Sequence, residues 1–325
     1  MKLLSYKIKE NHIHQIGVLK GHEVYNLNAF FGDVNLIDIF KLDNFTEKIH
    51  SYIGSKNSIK HKIKDIIFLP VIPHPNSFRD AYAFREHVET CRKNRGSEII
   101  SEFEQFPVFY FSNHNSMYAH NQDIELMPDH FKCLDYELEI AVIIGKGGKN
   151  ILSKDADKHI AGFCILNDLS ARTLQMEEMK LNLGPAKGKD FANVLGPYIV
   201  TPEELFEREI HTQFGKKYNL KMQCYVNGEL LSEGNAKNMH WTFGEIIQRA
   251  SYGVELFPGD IIGSGTVGTG CLLEINGTNK KQNPDYIEKW LKDGDEITMT
   301  VDVLGSISNK ILKSKNNHSI LKLKK

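Results

Sequence analysis

The sequence predicts an α+β chain, mostly strand with short helices between. Three observations lead there. Asn227-Gly228 in NLKMQCYVNGELLSEG stands between two alternating segments, the pattern of a tight hairpin. Asp293-Gly294 in LKDGDEITMTVDVLGSISNKI repeats the idea and then alternates. CLDYELEIAVIIG, Cys133 to Gly145, reads as a strand. Its side chains alternate, with Tyr136, Leu138, Ile140 and Val142 on one side and Asp135, Glu137, Glu139, Ala141 and Ile143 on the other.

In chain order, LLSYKI, HQIGVLKG and HEVYNL read as short strands, followed by a helix through VNLIDIFKLDNFTEKIHSYI. Pro70, Pro73 and Pro75 then disfavour both helix and central strand. They mark the expected boundary between a small β-rich N-terminal domain, residues 1–72, and a larger domain, residues 73–325. AYAFREHVETCRKN reads as a helix opening at Asp80. GFCILND reads as a strand ending at Asp168 with a helix opening at Ser170, and CLLEI as another strand. No internal repeat or sustained heptad pattern interrupts this order.

With 325 residues, 41% hydrophobic and 25% charged, the chain can bury a sizeable core. Lys+Arg 40 against Asp+Glu 41 leaves a net charge of -1, which gives no reason to expect a nucleic-acid partner. MKLLSYKIKENH lacks the apolar core of a signal peptide and no later run approaches a membrane span, so the expectation is a cytoplasmic protein without a membrane partner. The five cysteines are odd in number, scattered and without a C-x-x-C pair, which fits free thiols better than disulfides or a zinc site.

Two near-motifs point away from nucleotides. Gly263, Gly265 and Gly268 match G-x-G-x-x-G, but dinucleotide binding needs a helix next, where CLLEI reads as a strand. GPAKGKD around Lys189 has the wrong spacing for a P-loop and an Asp where Ser or Thr should hold magnesium. No nucleotide cofactor is expected.

The acids carry the chemistry. Glu137 and Glu139 point the same way along a strand and need a positive charge beside them. Together with Asp168 at a strand end and Asp80 they supply an all-oxygen donor set, suited to Mg²⁺, Ca²⁺ or Mn²⁺ rather than zinc. Judged alone, the pair could equally flank an arginine on a neighbouring strand. A helix opening at Asp80 would carry His87, seven residues on, to almost the same face.

RDAYAFREHVET, DYELEIAVIIGK, ILNDLSARTLQ, LGPAKGKDF and GSGTVGTGCLLEI, in that order from about Asn76 to Lys310, together resemble the fumarylacetoacetate hydrolase family. The resemblance implies a mixed β-sheet roll preceded by a small N-terminal β domain, a homodimer, and one divalent cation, Mg²⁺ first, held by Asp80, Glu137, Glu139 and Asp168. His87 matches the catalytic histidine of that family and Glu274 the carboxylate that orients it. Lys189 and Gln175 match residues at the substrate and suit oxyanion donors, while Tyr82, Tyr110, Arg172 and Thr266 match others around it. Arg92 and Arg95 are both candidates for a distal carboxylate.

The implied activity is metal-dependent hydrolysis of a C–C bond in a β-diketone or acylpyruvate-type acid, with fumarylacetoacetate as the first substrate to consider. Two other functions stay open: a 2-keto acid lyase (decarboxylase, hydratase or dehydratase) using the same metal site, and a non-catalytic metal-dependent binding protein. Either enzyme would take a small dicarboxylic or keto-acid substrate.

Overall fold

The computed structural model describes residues 1–10 and 13–323. Among these residues the chain is α+β and builds two main sheets. The larger is twelve-stranded and mixed. It runs from Lys60–Lys62 at one edge through Glu23–Asn26, His14–Lys20 and Lys2–Ile8 to Asn193–Val200, then Ile160–Asp168, Leu138–Ile144, Ile261–Gly263, Phe78–Ala81 and Phe109–Ser112. The first strand of the chain pairs with Asn193–Val200 at Lys2↔Val200, so the sheet continues across the Pro70–Pro75 stretch. A second, five-stranded sheet contains Glu229–Asn235, Lys221–Val226, Glu296–Val301, Gly305–Lys313 and Ile124–Leu126.

The two sheets enclose the main core. Tyr136, Leu138, Ile140 and Val142 enter it with Phe163, Met222 and Met299, whereas Ala141 and Ile143 face a separate cluster with Leu3, Ile39 and Ile49. The strand therefore alternates as its sequence predicts, but both of its faces are buried. Burial on both sides explains why its lower half is a continuous aliphatic run.

Asn227 and Gly228 form the expected hairpin turn, at φ 50° and 81°, and Val226 pairs with Glu229. The second reversal lies further on than expected. Gly294 turns the chain into Glu296–Val301, and the hairpin to Gly305–Lys313 closes at Asp302–Leu304, where Val303 takes φ 65°. The N-terminal helix is two helices, Leu36–Phe40 and Phe45–Ile53, separated at Asn44 with φ 54°. No helix among the described residues is long and apolar enough to cross a membrane.

Two elements differ in kind from the sequence reading. Asp80 lies on the strand Phe78–Ala81, opposite Gly263 on one side and Tyr110 on the other, and the helix begins only at Arg85. The seven-residue helical relation to His87 is therefore not what brings the two together. CLLEI opens a helix, Leu272–Gln282, rather than a strand. The residues it buries are Leu272, Glu274 and Asn276, a period of two that imitates a strand in sequence. Its N-terminus faces no pyrophosphate pocket, because the Asp135 carboxylate accepts from Leu272 N at 2.7 Å and Leu273 N at 3.0 Å.

Candidate active site and metal centre

Three strands carry four acids to one point. Asp80 comes from the strand Phe78–Ala81, Glu139 from Leu138–Ile144 with Glu137 just before it, and Asp168 from the end of Ile160–Asp168. One oxygen of each lies within 4.8 Å of the others, and all four side chains are buried. Close approach depends on Gly263, whose absent Cβ would stand 2.3 Å from Asp80 Oδ1. The glycine-rich run makes room for a carboxylate there.

The buried cations do not satisfy this cluster. Lys189 Nζ donates to Glu137 and, at 2.5 Å, to Asp168 Oδ2, which also accepts from the Tyr110 hydroxyl at 2.6 Å. Arg172 Nη2 donates to Glu137 at 2.8 Å. Thr266 offers Glu139 a contact of 3.3 Å, and Gly265 N reaches Asp80 at 3.2 Å. Glu139 Oε2 and Asp168 Oδ1 are buried with no hydrogen-bond partner. Unpartnered carboxylate oxygens converging in a buried cluster are the donor set a hard divalent cation takes. The residues present fit such an ion.

Protonation follows the same imbalance. Burial, with the Asp168 charge behind it, raises Asp80 to about 7. Burial and then the Asp80 charge raise Glu139 well above the usual carboxylate range. Glu137 goes the other way: burial disfavours its charge, but Lys189 and Arg172 hold it well below the usual range. Burial also works against the Lys189 ammonium, and Asp168 and Glu137 more than offset it.

Beside the acids lies a cavity of about 540 Å³. Asp80, Tyr82, His87, Tyr110, Glu137, Glu139, Arg172, Gln175, Lys189 and Thr266 all line it, with Arg92 and Arg95 further out. Asp168 and Glu274 stand behind that lining, at 0% and 2% exposure. His87, on the helix Arg85–Asn94, places Nδ1 2.6 Å from Glu274 Oε2. The Tyr82 ring meets the imidazole edge to face, 5.8 Å between centres. Burial disfavours the imidazolium, but Cys91 and Glu274 outweigh it and raise His87 to about 10.

Arg172 spends its guanidinium inside the protein: Nε goes to Asp135 at 2.9 Å, Nη2 to Asp135 and Glu137, and Nη1 to Gln175 at 3.0 Å. Gly188 serves Gln175 as well, since a Cβ at that position would meet Gln175 Cα at 2.6 Å. The glycine therefore lets the Lys189 loop close on the helix Arg172–Met179, rather than opening space for a ligand. Asp135 is the residue sequence reasoning passed over. Its position in register with Glu137 and Glu139 was the available signal.

The family model for the fumarylacetoacetate (FAA) hydrolase C-terminal region matches residues 76–312. The chain is 29% identical over 282 residues to oxaloacetate tautomerase YisK of Bacillus subtilis (strain 168), covering 86% of this chain and 83% of that one. Its fold is similar to a fumarylacetoacetate hydrolase from Exiguobacterium antarcticum, at TM-score 0.72 and 22% identity, over 97% of this chain and 100% of that one. It is equally similar to maleylpyruvate hydrolase from Sphingobium sp. SYK-6, solved with a manganese(II) ion and pyruvate, at TM-score 0.72 and 19% identity with the same coverage. Order of motifs, sheet architecture and the matched span agree: the chain is an enzyme that belongs to the fumarylacetoacetate hydrolase family.

Proposed function

We propose that the protein is a divalent-cation-dependent enzyme that interconverts the keto and enol forms of a small 2-oxo dicarboxylic acid of the oxaloacetate class. The observation that carries this reading is His87. Its ring faces the cavity, Glu274 fixes Nδ1 at 2.6 Å, and its raised basicity keeps it protonated at neutral pH. An imidazolium so held can hand the Nε2 proton to C3 of an enolate, and the neutral ring can take it back in the reverse direction. The likeness to the Bacillus tautomerase over most of both chains supports the substrate class.

The cage supplies the rest. A cation held by Asp80, Glu137, Glu139 and Asp168 would polarise the 2-oxo and carboxylate oxygens and lower the cost of the enolate. Lys189 and Gln175 line the cavity and would donate to an oxygen that gains negative charge, while Arg172 would position Glu137 and Gln175 rather than bind substrate itself. Arg92 or Arg95, at the outer wall, would take the second carboxylate of the substrate.

A second reading, hydrolysis of the C–C bond of an acylpyruvate, is favoured by the same dyad, since a neutral His87 backed by Glu274 can take a proton from water. One assay separates the two. The purified protein is loaded with Mn²⁺ and given enol oxaloacetate, and decay of the enol absorbance is followed along with products. Accelerated decay without C–C cleavage is the expected result, and His87→Ala should slow it by about 10²- to 10⁴-fold. Cleavage of 2,4-dioxo acids without that acceleration would replace tautomerisation with hydrolysis. Pyruvate released from oxaloacetate would mark a decarboxylase instead.

A further inference from the structure

Each member of the His87–Glu274 dyad has a cysteine about one turn away on its own helix. Cys91 follows His87 by four residues on Arg85–Asn94, and Cys271 caps Leu272–Gln282 three residues before Glu274. The two helices pack together, and both thiols stand beside the same imidazole. Cys91 Sγ lies 3.8 Å from both ring nitrogens of His87, so the sulfur rests against the imidazole. Donor atoms of Cys271, His87 and Glu274 lie within 4.8 Å of one another. Neither sulfur gives or takes a proton in the chemistry above, although Cys91 raises the basicity of His87.

Access differs between the two. Cys91 lines the substrate cavity, whereas Cys271 is completely buried behind it. A small oxidant entering the cavity therefore meets Cys91 first, with a second thiol on the helix packed beside it. Thiolate is the reactive form. The neighbouring Cys271, opposed by burial and reinforced by His87, lowers Cys91 to about 4.

We propose that Cys91 and Cys271 form an oxidisable dithiol, with Cys91 the peroxide-reactive sulfur and Cys271 the resolving one. The Cys91 thiolate attacks one oxygen of a peroxide, breaking the O–O bond, and becomes a sulfenic acid while the other oxygen takes a proton from the adjacent His87 imidazolium and leaves as water or an alcohol. Cys271 then attacks the Cys91 sulfur, the S–O bond breaks, water leaves with the Cys271 proton, and the S–S bond forms. The two sulfurs give up one electron each and the peroxide takes both. Bonded sulfurs must come to about 2.05 Å. That draws the His87 helix against the cap of the Glu274 helix and shifts the dyad, so turnover falls. The bond stands on the thiol geometry; the loss of turnover rests on the proton-transfer role of His87.

The test uses the Mn²⁺-loaded enzyme with a small excess of hydrogen peroxide, followed by peptide mapping. The expected result is a Cys91–Cys271 cross-link with a loss of about 2 Da, reversed by dithiothreitol. Turnover on enol oxaloacetate should fall by at least about tenfold and return with the reductant. In Cys271→Ser, Cys91 should instead be trapped by dimedone as the sulfenic acid with no cross-link. Cross-links or oxidation centred on Cys133, Cys164 or Cys224, with Cys91 still reduced, would overturn the proposal. A cross-link formed with turnover unchanged would uphold the dithiol and count against the role assigned to His87.

Discussion

Asp135 and Glu139 lie four residues apart on one stretch of chain and are both completely buried, yet their surroundings are opposite. Asp135 accepts from two backbone amides at the start of a helix and from two nitrogens of Arg172. Glu139 has a 3.3 Å contact to Thr266 and one oxygen with no hydrogen-bond partner among the described residues. Burial alone does not say what a carboxylate is for; the donors around it do. A fully satisfied acid joins elements of the fold, and an unsatisfied one in a cluster is open to an ion.

The strongest way to break that comparison is to neutralise each acid in turn. Glu139→Gln should abolish Mn²⁺ binding by calorimetry and cut turnover by about 10³-fold or more, while the chelator-treated protein melts no lower than wild type, because a buried, poorly compensated acid has been removed. Asp135→Asn should instead cost about 3–5 kcal/mol of stability with or without the ion, since it leaves Arg172 short of a partner. If both variants fold equally well and bind Mn²⁺ equally poorly, the distinction between them fails.

Acidity sharpens it next. The Asp80 carboxyl, raised to about 7 by burial and then by Asp168, must lose its proton before an ion can enter. Mn²⁺ affinity should fall by at least roughly tenfold per unit as pH drops below that value, and keep rising above it while Glu139, also raised, gives up its proton. The folded value lies above the unfolded one, so the Asp80 contribution to stability is complete below its ordinary value of 3.8 and is lost as pH rises through about 7. Saturating Mn²⁺ should accordingly raise Tm more at pH 8 than at pH 5. An affinity flat from pH 5 to pH 8 would contradict this.

The smallest effect concerns a supporting group. Tyr110→Phe removes the hydroxyl that donates to Asp168 at 2.6 Å without touching the cage itself, and should weaken Mn²⁺ binding by about tenfold. The same substitution should leave Asp135 and its helix undisturbed, so Tm in chelator is expected to stay within about 1 °C of wild type. A loss as large as that of Glu139→Gln would make Tyr110 as important to the centre as a ligand.

Much of this was legible in residue order. Alternation placed Glu137 and Glu139 on one side of a strand, Asn227-Gly228 set its hairpin, and the ordered motifs named the four acids and the dyad. What sequence obscured were the two elements that exchange appearances. Asp80 precedes a run of helix formers and was read into the helix, although sheet pairing with Gly263 and Tyr110 decides its strand. Glu274 sits on a helix that buries every second residue of its first turns, a pattern set by packing against other elements rather than by local preference. Cys91 and Cys271 are 180 residues apart, and no local signal joins them.

Lys189 is a placeholder. Its ammonium already stands between Glu137 and Asp168, tethered to the chain, so the fold can assemble around converging acids before any ion arrives from solution. Entry of a dication then adds charge to a pocket the polypeptide has partly balanced on its own, and loading becomes a step that can follow folding instead of one on which folding waits.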